Sequence, residues 1–286
     1  MKTILVPTDF SANATHAAKY AYQLATQIRA NIILCNAVII PAEIPEHGFT
    51  IWPTDESEML MAESGSELRL LRHRLNGMEN GSDFHPQINI TNTAGTVTSM
   101  INEIISDQVI DMVVIGSHTE GGLSSLITGN HANRLIDNSI KPLLIVPKTT
   151  AIKFVRKIAF ATDFSQPAED LQHIYKLITY AKSMDAEIVL THVHNDKRES
   201  HGLVESVSRL IVELSNKADY PHIYYHLIKD NKVQHGLDFL CKEGNIDMLA
   251  MVHRQYNLLT NLVSGSHTQK MASSCSVPLL VFPSKS

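Results

Sequence analysis

The sequence predicts an α/β protein built from two tandem, doubly wound parallel sheets of five strands each. Three observations carry this: the chain is written twice, each copy alternates short apolar runs with helical patterns, and 286 residues make two domains of ordinary size. Ile4-Leu-Val-Pro-Thr8-Asp9-Phe10-Ser11 returns 154 residues later as Ile158-Ala-Phe-Ala-Thr162-Asp163-Phe164-Ser165. Ile110-Asp111-Met112 and Lys141–Pro147 return 136 residues later as Ile246-Asp247-Met248 and Val277–Pro283. The offsets differ by 18, so the first repeat carries extra chain. Residues 39–58, rich in Pro, Glu and Gly, read as that insertion, a loop excursion.

In the first repeat, strands are expected near 2–7, 31–38, 86–91, 111–116 and 142–147, with helices between them. Ser11 is placed to cap the first helix. Ala14, Ala17, Ala18, Ala21 and Ala25 then put small side chains at helical spacing, which lets that helix sit close to the sheet. The second repeat places strands near 156–161, 187–193, 222–228, 246–252 and 278–282. Right-handed crossovers make 3-2-1-4-5 the expected strand order in each half, with a flavodoxin-like order as the alternative. The domains are 1–148 and 153–286, joined near Lys148 to Phe154.

Lys and Arg number 24 against 29 Asp and Glu, and a net charge of −5 offers none of the basic footprint that nucleic acid requires. Cys35, Cys241 and Cys275 are odd in number and far apart, fitting neither a disulfide framework nor a metal knuckle; Cys35 reads as inert packing. The apolar start is broken by Pro7 and Asp9, too early for a secretory core, and no apolar run approaches the roughly 18 residues that cross a bilayer. A soluble, cytoplasmic protein without membrane partners is expected.

Open parallel sheets bind ligands beyond the carboxyl ends of the strands, where the winding reverses. Here that point lies between strands one and four. It brings together Pro7, Thr8 and Asp9 with Ile115, Gly116 and His118, and then with Gly129, Asn130 and His131 at the start of the last helix. A carboxylate can accept ribose hydroxyls, while backbone N–H groups at a helix start favour phosphate. The same residue types suit a simple helix cap and a turn.

At these residues the chain resembles a tandem member of the universal stress protein family, whose fold is of the adenine nucleotide alpha hydrolase-like type. Members of that family that bind ATP carry Gly-x2-Gly-x9-Gly followed by Ser or Thr after strand four. The first repeat keeps Gly116 and Gly129 but has Thr119 at the second glycine and Asn130 after the third. The second keeps Gly265 and Ser266, with Val252 and Gln255 at the first two glycines, and Arg254 as a compensating phosphate contact. By position, the resemblance places the adenine side at Ala37 or Val38 and at Val193. Thr162 and Asp163 then match Thr8 and Asp9, and His267 matches His131. It implies ATP, with Mg²⁺, for intact patterns and no ATP where the pattern is lost. It further implies pairing through last strands, so that Pro142–Pro147 and Pro278–Pro283 would make one chain a pseudo-dimer.

No P-loop, nucleophile elbow or HExxH helix occurs, and neither repeat shows an HxGH signature, so no catalytic residues are assigned. Slow ATP hydrolysis would have only Asp9 and His118 as polar helpers. Fifteen histidines raise the question of metal; His192 and His194 share a strand face near His201, but the spacing assembles no ligand set and no metal is assigned. Two functions stay open: a non-enzymatic stress-response protein responsive to an adenine nucleotide, and a ligand-free stress scaffold. Phe49, Ile51 and Trp52 are candidates for a homodimer contact or for covering their own crevice.

Overall fold

Strands that are covered on both faces read as nearly continuous apolar runs, and the runs of this chain become such strands. The structure is a computed structural model describing residues 1–40, 54–79, 81–117, 129–164, 166–194, 208, 210–214, 216–254 and 266–284. By packing the chain divides into two compact units, Met1–Gly116 and a second that holds the described residues from 129 onward. No helix among the described residues is long and apolar enough to cross a membrane.

The first unit contains β1 (Lys2–Pro7), β2 (Ala30–Val38), β3 (Ile88–Ala94) and β4 (Met112–Gly116), in the order β3-β2-β1-β4. All are parallel, with Lys2 opposite Ala30, Ile4 opposite Met112 and Val38 opposite Ala94. β3 runs to Ala94 rather than 91, because β2 continues to offer it ladder partners through Val38. α1 (Ala12–Ile28) is capped by Ser11, whose Oγ accepts from the Ala14 N–H, and Ala14, Ala17, Ala18, Ala21 and Ala25 are buried as their spacing required. α2 (Thr54–Asn76) and α3 (Val97–Asp107) complete the unit. The excursion at 39–58 is therefore not loop throughout: α2 already begins at Thr54, while residues 41–53, with Phe49, Ile51 and Trp52, lie outside the described residues.

The second unit contains β5 (Leu143–Val146), β6 (Lys157–Ala161), β7 (Glu187–His194), β8 (Ile223–Lys229), β9 (Met248–His253) and β10 (Leu279–Pro283). They stand in the order β5-β10-β9-β6-β7-β8, so the second repeat's own five strands run 3-2-1-4-5 as expected. The helices are α4 (Gly129–Asn138), α5 (Pro167–Met184), α6 (Val233–Glu243) and α7 (His267–Ser274), with residues 210–214 and 216–218 also helical. The sheet departs from a self-contained set of five in one respect. As the resemblance implied for the last strands, β5 of the first repeat pairs antiparallel with β10, Leu280 facing Leu144, so among the described residues this unit has six strands. The cause is legible in β10: five buried residues would otherwise form an apolar edge with unpaired backbone groups, and β5 covers it.

Gly116, at the end of β4, carries a packing demand. A Cβ there would stand 2.8 Å from the Asn13 carbonyl oxygen at the start of α1. Gly116→Ala is therefore expected to cost about 1–3 kcal/mol, read as a lower urea midpoint with an unchanged m-value.

Candidate functional site

Each repeat ends its first strand in the same turn. Thr8 Oγ1 accepts from the Phe10 N–H at 3.0 Å, and Thr162 Oγ1 accepts from the Phe164 N–H at 2.9 Å. Phe10 and Phe164 sit at φ 62° and 54°, a left-handed conformation that costs a side-chain-bearing residue roughly 1–2 kcal/mol. Both repeats keep it, and it sets the course of the chain at the end of each first strand. Sequence reasoning missed the two phenylalanines, although their repetition was the available signal.

In the first repeat, Asp9 Oδ1 accepts from the backbone N–H and the hydroxyl of Ser11, at 3.1 and 2.5 Å. Its Oδ2 is buried and makes no hydrogen bond. Two further residues not foreseen brace this strand end: Asn36 donates to the Thr8 carbonyl at 2.7 Å, and Ser64 donates to Asn36 Oδ1 at 2.8 Å. Pro7, Ile115 and Ala37 are buried in the sheet. The Val38 carbonyl, the expected adenine-side acceptor, takes the Gly95 N–H at 2.9 Å. Gly116 lies beneath the start of α1, as described above. Gly129, Asn130 and His131 form the first turn of α4, and His118 lies outside the described residues.

The second repeat encloses a cavity of about 520 Å³ at the carboxyl ends of its strands. Ala161, Thr162 and Asp163 line it from the end of β6, His192 and Val193 from β7, and Met251, Val252 and Arg254 from β9 and the residue that follows. Ser266, His267, Thr268 and Lys270 close it with the amino terminus of α7, while α6 contributes Val233 and Leu237. Thr162, Asp163, Val193, Arg254, Ser266 and His267 thus converge, and Gly265 lies outside the described residues.

Arg254 dominates the cavity's electrostatics. Its guanidinium reaches Asp163 at 2.7 Å, Glu169 at 3.4 Å and Asp170 at 2.5 Å, and its side chain is 11% exposed. A phosphate would meet this cation already held by three carboxylates. Asp170 is only 2% exposed, and burial pushes its carboxyl above the ordinary carboxylate value. A hydrogen bond from Thr162 Oγ1 at 2.6 Å and the charge of Arg254 act in the opposite direction. Asp163 remains 49% exposed. His192 Nδ1 stands 2.9 Å from the Thr162 carbonyl, fixing its ring beside the turn. Among the described residues no group of three or more His, Cys, Asp or Glu could hold a metal ion.

The helix that closes the cavity is held from behind. Ser266 and Gln269 form a reciprocal capping box at the start of α7. Gln269 also donates to Asp137 of α4 at 2.9 Å. His253 Nε2 stands 3.0 Å from that carboxylate, near enough for an ion pair but without hydrogen-bond alignment. Burial lowers the His253 pKa, and Asp137 opposes the shift. Glu169, Asp170 and Asp137 were absent from the sequence reading, and His253 was seen only as a histidine of the ligand loops. Their partners lie far away in the chain, so no local spacing marks them.

The sequence profile of the Universal stress protein family matches this chain twice, over residues 1–147 and 155–283. The chain belongs to the universal stress protein family. Two universal stress proteins of Methanocaldococcus jannaschii resemble it. One is 26% identical over 147 residues, covering 51% of this chain and 82% of the relative. The other is 28% identical over 162 residues, covering 51% and 95%. A universal stress protein structure from Archaeoglobus fulgidus shares the fold at 14% identity, with a TM-score of 0.70 across 99% of this chain and 98% of that one.

Two expectations follow for this universal stress protein. Arg254→Ala leaves the buried Asp170 without its cation, so unfolding free energy should drop by about 3 kcal/mol. Adding Asp170→Asn should recover part of that loss, and denaturant melts of the double-mutant cycle check the coupling. The second concerns acid. Burial holds the pKa of His173 and His253 below the ordinary 6.5, so each gains proton affinity on unfolding. The stability they contribute is complete above 6.5 and is lost as pH falls through their lower folded values. The melting temperature should therefore drop as pH falls below about 6.5, with a shallower slope in His173→Gln/His253→Gln.

Proposed function

We propose that this protein is a non-enzymatic, cytoplasmic stress-response factor that takes an adenine nucleotide in the crevice of its second repeat. The single observation that supports this best is the 520 Å³ cavity where the strand order reverses, with β6 and β9 side by side and the amino terminus of α7 at its mouth. Its volume lies within the roughly 300–1,000 Å³ of small-molecule sites. Asp163, half exposed on one side, is suited to ribose hydroxyls. Lys270 and the first N–H groups of α7 are suited to a phosphate on the other side. The first repeat offers a related feature in the buried, unbonded Oδ2 of Asp9, an acceptor that a ribose hydroxyl would satisfy.

Charge narrows the ligand. Arg254 offsets only one of the three carboxylates around it, so a nucleotide of low charge is favoured over bare ATP, and Mg²⁺ would arrive already bound to the phosphates. The same cluster supports a second reading, a ligand-free scaffold, since Arg254 is satisfied by the protein's own side chains. Melting curves separate the two. In millimolar AMP or Mg·ATP the melting temperature should rise, by the equivalent of about 2.7 kcal/mol at a hundredfold excess over Kd, and Lys270→Ala should blunt the rise. A flat response to every adenine nucleotide overturns the nucleotide reading and leaves the scaffold.

A further inference from the structure

Cys241 and Cys275 lie 34 residues apart in sequence, yet their Sγ atoms stand 3.4 Å apart in space. We propose that these two thiols are a redox-active pair, which a hydroperoxide converts into a reversible intramolecular disulfide that staples α6 to the end of α7. A disulfide bond is about 2.05 Å long, so the sulfurs need to approach by only about 1.4 Å. Side-chain rotation at the ends of two short helices supplies that. The first repeat carries Ile105 and Ser139 at the corresponding positions, so the device belongs to the second repeat.

The two sulfurs are not equivalent. Cys275, at the end of α7, is half-buried and reachable, whereas Cys241 is buried. The contact with Cys241 and the Val277 N–H favour a thiolate on Cys275. Cys241 is shifted the other way by the same contact and by burial, and so keeps its proton. The chemistry then runs in two balanced steps. The Cys275 thiolate attacks one peroxide oxygen and the O–O bond breaks; with one proton taken up, this gives the sulfenic acid and water. The Cys241 sulfur next attacks the sulfenic sulfur, forming the S–S bond while the Cys241 proton leaves with the hydroxyl as a second water. Two thiols are oxidised and one hydrogen peroxide is reduced. Cys35 is a built-in control: it is fully buried in β2, and burial pushes its thiol far above the ordinary value.

The staple has a consequence at the cavity, because Val233 and Leu237 of α6 and Ser266, His267 and Thr268 of α7 form part of its wall. That consequence rests on the nucleotide reading; the disulfide does not. The full chain, reduced and then exposed to hydrogen peroxide, is alkylated, denatured and mapped by peptide mass spectrometry. Free thiols should fall from the three present to one, Cys35. A Cys241–Cys275 linked peptide should appear with a loss of about 2 Da and disappear with dithiothreitol. Cys241→Ser should stop at a dimedone-trapped sulfenic acid on Cys275, Cys275→Ser should leave Cys241 unmodified, and Cys35→Ser should behave as wild type. Persistence of all three thiols in the wild-type protein, links only between chains, or sulfinic acid on Cys275 without a cross-link would overturn the proposal. None of these readouts depends on nucleotide binding.

Discussion

The guanidinium of Arg254 ties together the elements on which the second repeat's crevice depends. It leaves the end of β9 and grips Asp163 after β6 and both Glu169 and Asp170 in the first turn of α5. A nearly buried Asp170 could not keep its charge in such a place alone; the Thr162 hydroxyl and Arg254 offset part of the cost of removing it from water, and burial still leaves its carboxyl above the ordinary value. Arg254 lies between Val252 and Gln255, the two positions at which the resemblance would place glycines. The repeats differ here: by the two sequence offsets, Asp170 and Arg254 correspond to His16 and His118. A duplicated fold has thus been given two electrostatically distinct strand ends.

The architecture was legible because duplication doubles every signal. Ile4–Ser11 and Ile158–Ser165 announced two first strands, and the proline-bounded runs at Pro142 and Pro278 announced two last ones. What escaped was decided by partners rather than by local pattern. β3 extended because β2 offered it a ladder; the pairing of β5 with β10, by contrast, was expected from the two last strands. The beginning of α2 at Thr54 lay inside a stretch whose prolines and glycine suggested loop.

At the site, the Thr-Asp tip and the start of the last helix were visible by repetition alone. Arg254 was recognised as a cation, but its partners sit 84 to 91 residues away, beyond the reach of any spacing rule. Gly116 shows the converse, where a residue singled out for phosphate approach also has a packing reason to be glycine, the nearby Asn13 carbonyl. The left-handed conformation of Phe10 and Phe164 was missed despite their repetition, because aromatic residues ordinarily avoid it. The cysteines looked unrelated in sequence until the fold brought two of them together.

These features describe a scaffold whose second repeat places an acidic strand end, a held arginine and a helix amino terminus around one hollow. Whether that hollow is filled by a nucleotide is most directly tested by native mass spectrometry of the full chain, as isolated and with millimolar AMP or Mg·ATP. The account predicts a species heavier than the polypeptide by one adenine nucleotide, diminished by Lys270→Ala. The bare polypeptide mass at every concentration tried would contradict it.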